Sequence, residues 1–294
     1  MTASEKLRSG KGHRDENFPV ASWIIKRRHR PAILAFYEFV RVADDIADHP
    51  ALDPREKLAR IDRLEESLIG KSNREPQGVA LREILGNRGL SPRHAQDLLR
   101  AFRQDVTKHR YANWDELINY CSLSAMPVGR FVLDVHGERH ETWPASDALC
   151  AALQIINHLQ DCGADYRQLG RVYVPLDLLS ANALIVDGLG VSRASPALKA
   201  CLNELAGRTG VLLERSRSLP ALVNDMRLAM EISAMQALAA KLVALLQSRD
   251  PLSEPVHLSK KEMLTTGARG AALELLKRLF RPAPPFDRPR ARET

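Results

Sequence analysis

Two clusters of acidic side chains have the spacing that metal and phosphate chemistry needs. In Arg41-Val42-Ala43-Asp44-Asp45-Ile46-Ala47-Asp48, Asp44 and Asp48 stand four residues apart. On a helix that places both on one face, with Cβ atoms roughly 6 Å apart. Carboxylates this close repel each other, and a divalent cation removes the repulsion. Hard oxygens suit Mg²⁺, which keeps water ligands and needs only one or two carboxylates when a phosphate supplies the rest. The segment also reads as a solvated helix end. There, acids oppose the helix dipole by about 0.3–1 kcal/mol each unless a cation, or Arg41 one turn earlier, compensates.

The run from Gln154 to Asp165 repeats the pattern. Asn157, Asp161 and Asp165 recur every four residues, while Ile155, Ile156 and Leu159 supply an apolar opposite face. Eight helical residues rise about 12 Å, enough for a ladder of oxygens along a cation cluster and a diphosphate. Arg167, Arg171 and Tyr173 follow, all able to hold phosphate oxygens by charge-assisted hydrogen bonds. Alone, this ladder equally describes a surface face. Two such ladders in one chain point to a shared site.

Both ladders require helices to present them, and the chain supplies little else. Pro31 opens a helix over Ala32–Ala47, with further helical patterns at 55–70, 76–87, 92–109, 114–136, 145–165, 195–217 and 220–248. No alternating strand pattern or fixed-period repeat interrupts them, so the fold class is all-α. The 294 residues can hold one large core or two modest ones. Aromatics are only 5%, so Leu, Ala, Val and Ile must build the core.

The formal charge is +7, and nine Lys/Arg against four Asp/Glu between Leu258 and Thr294 carry most of it. A basic balance suits a diphosphate, an anionic membrane surface or nucleic acid, but no nucleic-acid motif is present. Cys121, Cys150, Cys162 and Cys201 form no C-x-x-C pair and follow no signal peptide, which fits reduced thiols in the cytoplasm. No apolar run reaches the roughly 20 residues of a spanning helix, so none is expected. The expected organisation is a flexible 1–15, a helical body over 16–250, a basic helical extension over 251–280 and a disordered Pro/Arg-rich tail over 281–294. The extension is expected to touch the inner face of the plasma membrane peripherally.

Taken together, the blocks resemble the squalene and phytoene synthase family of head-to-head trans-prenyltransferases, over residues 16–250. The likeness rests on Tyr37-Glu38-Phe39-Val40-Arg41 running into the first ladder, and on the second ladder followed by Arg171-Val172-Tyr173. Between them, the stretch Tyr120 to Gly129 is similar to the family's channel-lining helix. The resemblance implies a single-domain isoprenoid-synthase bundle around a central cavity. It implies two or three Mg²⁺ ions with the diphosphate, bound by Asp44 and Asp48 from one side and by Asn157, Asp161 and Asp165 from the other. Tyr37, Arg41, Gln154, Arg171 and Tyr173, with Ser22 near the start, would contact the isoprenoid diphosphate.

Within the family, Glu16 to Ser22 and Asn157-His158-Leu159-Gln160-Asp161 are similar to the bacterial hydroxysqualene synthase branch of hopanoid biosynthesis. That branch implies ionisation of presqualene diphosphate and capture by water, without NADPH. It also implies a functional link to a presqualene diphosphate synthase and a hydroxysqualene reductase. Asp44, Asp48, Asp161, Asp165, Tyr37 and Tyr173 would carry the reaction, with Tyr37 or Tyr173 orienting the water or shielding the cation by its ring face. Gln160 stands where relatives that couple two farnesyl diphosphates carry Arg, which implies a weaker diphosphate subsite. Presqualene diphosphate, squalene or phytoene synthesis on the same fold is the alternative, followed by a non-catalytic scaffold role.

Two further signals carry less. His136 and His140 share zinc-ligand spacing, but Gly137 between them weakens a helix. Asp105 fits either a cavity wall or a cap or salt bridge.

Overall fold

The computed structural model describes residues 25–280. The expectations for 1–15, for 281–294 and for Ser22 lie outside the described residues. Among the described residues every regular element is helical, as the apolar periodicity predicts.

Helix α1 (Arg30–Ala47) carries Pro31 in its first turn, where a missing N–H costs nothing, and ends with the Asp48 N–H on the Asp44 carbonyl and the His49 N–H on that of Ile46. It buries Ile33, Phe36, Phe39 and Val42 against α3 (Pro76–Arg88) and α4 (Arg93–Thr107). Helix α2 (Pro54–Leu68) is capped by Asp53, which accepts from the Glu56 N–H at 3.0 Å, an interaction worth about 1 kcal/mol. Helices α1 to α4 share one core with Phe131 of α6, whose ring stacks on Phe36 at 3.9 Å.

The single helix expected over 114–136 is divided into α5 (Trp114–Ser124) and α6 (Met126–His136). Pro127 explains the break, because it has no N–H and its ring crowds the carbonyl four residues back. The kink lets Tyr120 and Ser124 of α5 and Gly129 and Leu133 of α6 face one cavity. Gly129 marks the crossing of α6 with α7 (Trp143–Gln160). An added Cβ there would lie 2.5 Å from both Cys150 Sγ and Ser146 Oγ.

The helix expected over 145–165 also stops early. After α7 come the short α8 (Cys162–Ala164) and a π-turn over Asp165–Leu169, then Gly170 at φ +63°. Wide turns of this kind concentrate at functional sites. Backbone bonds still bridge the bend: Asp161 N–H reaches the Asn157 carbonyl at 3.0 Å, and Asp165 N–H reaches that of Asp161 at 2.8 Å. Gly170 takes the left-handed conformation without a Cβ penalty. The chain then runs beside residues 109–112, with Val172 N–H on the His109 carbonyl and Leu176 N–H on that of Tyr111, both at 2.9 Å.

Helices α9 (Leu176–Ala181), α10 (Pro196–Ser216), α11 (Leu219–Leu222), α12 (Met226–Ser248) and α13 (Lys260–Leu279) complete the bundle. Helices α7, α10 and α12 supply a second core around Ile155, Ile156, Leu205 and Leu242. Contrary to the sequence expectation, α12 is long and apolar enough to cross a membrane by length and composition. It packs against α7, α10 and α13 and buries Leu228, Ile232, Leu238 and Leu246, so core packing accounts for its hydropathy. Helix α13 opens with a Ser259/Glu262 capping box and lies along α12, so close that a Cβ on Gly270 would sit 2.7 Å from the Ser233 carbonyl. Cys121, Cys162 and Cys201 are buried and Cys150 is half-buried, all as free thiols.

Candidate active site

The bundle encloses a cavity of about 580 Å³. Its wall includes Tyr37, Arg41, Asp44, Asp48, Gln154, Asn157, Asp161, Asp165, Arg171 and Tyr173, every described candidate from the two blocks except Arg167. Arg167 is exposed on the outer side of the π-turn and does not line the cavity.

One end of the cavity is acidic. Arg41, one turn before Asp44, meets it at 2.9 Å and also reaches Asp45 at 3.2 Å. Asp45 is buried and does not line the cavity, so it serves the first wall as a counter-charge for Arg41. Burial, then the neighbouring Asp48, pushes Asp44 well above the usual carboxylate range, against the pull of Arg41. Arg171, delivered by the turn at Gly170, is buried and reaches Asp48 at 2.6 Å and the Asp105 carbonyl at 3.1 Å. It joins two elements far apart in sequence and holds the first acidic wall in place.

Behind the mouth lies a tight aromatic and acidic group. Tyr120 donates to Asp105 at 3.0 Å, and the Tyr120 and Tyr173 rings lie 5.6 Å apart. Tyr173 stacks on His158 with ring centroids 3.4 Å apart. Burial raises Asp105 to about 7, although Arg171 and Tyr120 favour its charged form. Asp105 lines the cavity, the first of the two readings its sequence position allows. The far end is apolar, lined by Phe36, Phe131, Leu149, Leu153, Leu228 and Ile232, with Glu231 the acid on that side.

Tyr120, in the stretch expected to line the channel, does line the cavity with Ser124, Val128 and Gly129, while sequence reasoning missed His158 and Glu231 as site residues. Nothing local marks Glu231. His158 could have been found, because Gln154, His158, Asp161 and Asp165 form a stripe at helical spacing. Gln160 corrects an inference as well. Its buried amide donates to the Val256 carbonyl and contacts His257 at 3.3 Å, tying α7 to the segment before α13. It does not line the cavity, so the expected loss of a diphosphate contact does not arise from this position.

The histidine pair behaves as a structural feature. Helix α6 ends at His136, whose Nδ1 donates to the Val132 carbonyl at 2.7 Å, while His140 is exposed. His29, His136 and Asp225 bring ligand atoms within 4.8 Å of one another. Lys26 already lies 2.8 Å from Asp225, and Arg28 donates to His29 at 3.0 Å, so basic side chains fill this group.

Comparison with known proteins gives a consistent outcome. A model of the squalene/phytoene synthases matches residues 12–262. The chain is 57% identical to the hydroxysqualene synthase of Rhodopseudomonas palustris, over 97% of each chain. It is 55% identical to that of Sinorhizobium fredii, over 95% of this chain and 96% of the relative. A crystal structure of a squalene synthase from Alicyclobacillus acidocaldarius superposes with a TM-score of 0.71 at 30% identity, covering 83% of this chain and 92% of that one. With an acid-walled cavity inside an all-helical bundle and a match across most of its length, the chain belongs to the squalene/phytoene synthase family.

Proposed function

We propose that the protein ionises presqualene diphosphate and captures the resulting cation with water, giving hydroxysqualene and diphosphate as a carbon–oxygen lyase. One observation carries this reading: a single cavity joins an acidic mouth to an apolar interior. The near full-length similarity to hydroxysqualene synthases supports the same reaction.

The donor set fits Mg²⁺. Asp44, Asp48, Asn157, Asp161 and Asp165 offer hard oxygens around one mouth, and Asp44 is an acid whose ionisation a divalent cation would favour. Bound there, Mg²⁺ supplies neutralisation of the charge on the departing diphosphate. The chain's own side chains do the rest. Arg41 and Tyr37, one turn apart on α1, receive diphosphate oxygens at the mouth. Arg171 keeps Asp48 in register. The apolar walls hold the hydrocarbon and exclude stray water until the rearrangement is complete. No reductant enters this route, which would take its substrate from a presqualene diphosphate synthase and pass its product to a reductase.

The test is mass spectrometry of products from presqualene diphosphate, with and without NADPH. Hydroxysqualene in both arms is expected. Squalene formed only with NADPH, or a C30 product from farnesyl diphosphate alone, would assign the chain to another reaction of the fold.

Peripheral membrane contact through α13 is also proposed. Leu276, Leu279 and Phe280 are exposed near its end, beside Lys277, a mixture that suits an anionic lipid surface. Sedimentation with anionic vesicles should fall when Leu279 and Phe280 are changed to Ser. Unchanged partitioning counts against the contact.

A further inference from the structure

The position of His158 raises a question the metal ladder does not answer. It lies between Asn157 and Asp161 in sequence, yet its side chain lines the cavity. One ring face is covered by Tyr173 at 3.4 Å, so the plane of the imidazole is fixed. Its two nitrogens point to different partners. Nδ1 lies 3.7 Å from an Asp165 oxygen, and Nε2 lies 3.0 Å from the Gln154 amide nitrogen. Gln154 and His158 are four residues apart on α7 and form one polar step. Next to it in the wall are Cys150, Leu149 and Leu153 on one side and the acidic residues on the other.

We propose that the His158–Gln154 pair seats the water that captures the carbocation, with His158 acting as a positioning residue through Gln154. The inference rests on the presqualene diphosphate reading. The Gln154 amide nitrogen donates to His158 Nε2, and among the described residues its carbonyl oxygen takes no hydrogen bond. That oxygen is the acceptor left for a water hydrogen. The step balances without a further reactant. The C–O bond to diphosphate breaks and the cation rearranges. The water oxygen then gives a lone pair to the cationic carbon and forms the new C–O bond. One water O–H bond breaks, and its proton goes to the released diphosphate, which is itself a base.

The geometry favours this pair over Tyr173. The Tyr173 ring is packed among Tyr111, Tyr120 and His158, and Tyr120 donates to Asp105. The pair also stands at the boundary between mouth and apolar interior, where a cation first forms when the diphosphate leaves. A water held deeper would meet hydrocarbon, and one held among the acids would solvate ions.

The test is the partition of products from presqualene diphosphate in ¹⁸O-labelled water. His158→Phe keeps a ring against Tyr173 and removes both nitrogens. Loss of one oriented hydrogen bond predicts about a tenfold fall in labelled hydroxysqualene as a share of C30 products. Hydrocarbons formed by proton loss, or isomeric alcohols, should rise in its place. A wild-type partition in His158→Phe overturns the proposal. So does a folded variant that releases no diphosphate, because the ring would then be needed for ionisation. Should His158→Phe not fold by circular dichroism, Gln154→Leu removes the other half of the pair and is read the same way. The wild-type arm is read first: if it releases no diphosphate from this substrate, the reaction assignment fails, independently of the role of His158.

Discussion

The two acidic walls of the cavity are built by different means. On α1 the acids lie along one unbroken helix and meet guanidinium groups, Asp44 and Asp45 on Arg41 and Asp48 on Arg171. Across the mouth, Asn157, Asp161 and Asp165 are strung over a helix end, a short turn and a π-turn, and Asp165 faces His158 at 3.7 Å. Among the described residues, the first wall is held by guanidinium partners and the second takes its form from a bend in the backbone. A site of like charges can therefore be preorganised in two ways: by placing cations among them, or by bending the backbone so that successive carboxylates converge on one space.

The largest expected effect would break this comparison. Asp44→Asn and Asp161→Asn should each reduce diphosphate release on the order of 1000-fold, with helix content by circular dichroism unchanged. Near-normal turnover in either variant would mean that one wall suffices and that the facing arrangement has no chemical role.

A smaller effect would sharpen it. Arg171→Met should lower unfolding free energy in urea by about 2 kcal/mol, since a buried guanidinium loses Asp48 and the Asp105 carbonyl. Asp165→Asn on the other wall should change it by less than about 0.5 kcal/mol. Equal losses would remove the distinction between a charge-held and a shape-held wall.

The most gradual effect concerns pH. Asp105 has an ordinary value of 3.8 and is raised to about 7 in the folded chain. Between those values the folded chain keeps a proton that the unfolded chain has lost, so stability falls as pH rises. In metal-free protein the decline across that window should be on the order of 1 kcal/mol per pH unit from this group. Asp105→Asn should flatten it in melting curves taken from pH 4 to 7. An unchanged slope would separate Asp105 from the charge balance of the first wall.

Much of this architecture is legible without coordinates. Helical periodicity, Pro31 at the start of α1 and Asp53 at the start of α2 are local signals, and the helices begin where those residues place them. The i, i+4 spacing marks each acidic ladder for the same reason: neighbours on a helix face are set by backbone geometry a few residues long. The breaks at Ala125 and after Gln160 were harder to read. Pro127 was visible but lies inside an otherwise continuous apolar pattern, and the π-turn after Asp161 has no comparable sequence mark.

What the chain determined by itself is therefore its helices and the faces that carry oxygen. Tertiary packing decided that α1 and the end of α7 look at each other across one mouth. It turned Gln160 away from that mouth and brought Asp105, Tyr120 and His158 behind it. Those contacts join residues tens to more than a hundred positions apart, as in Arg171 with Asp48. They depend on which buried faces pair in the assembled core, a long-range property that no local spacing encodes.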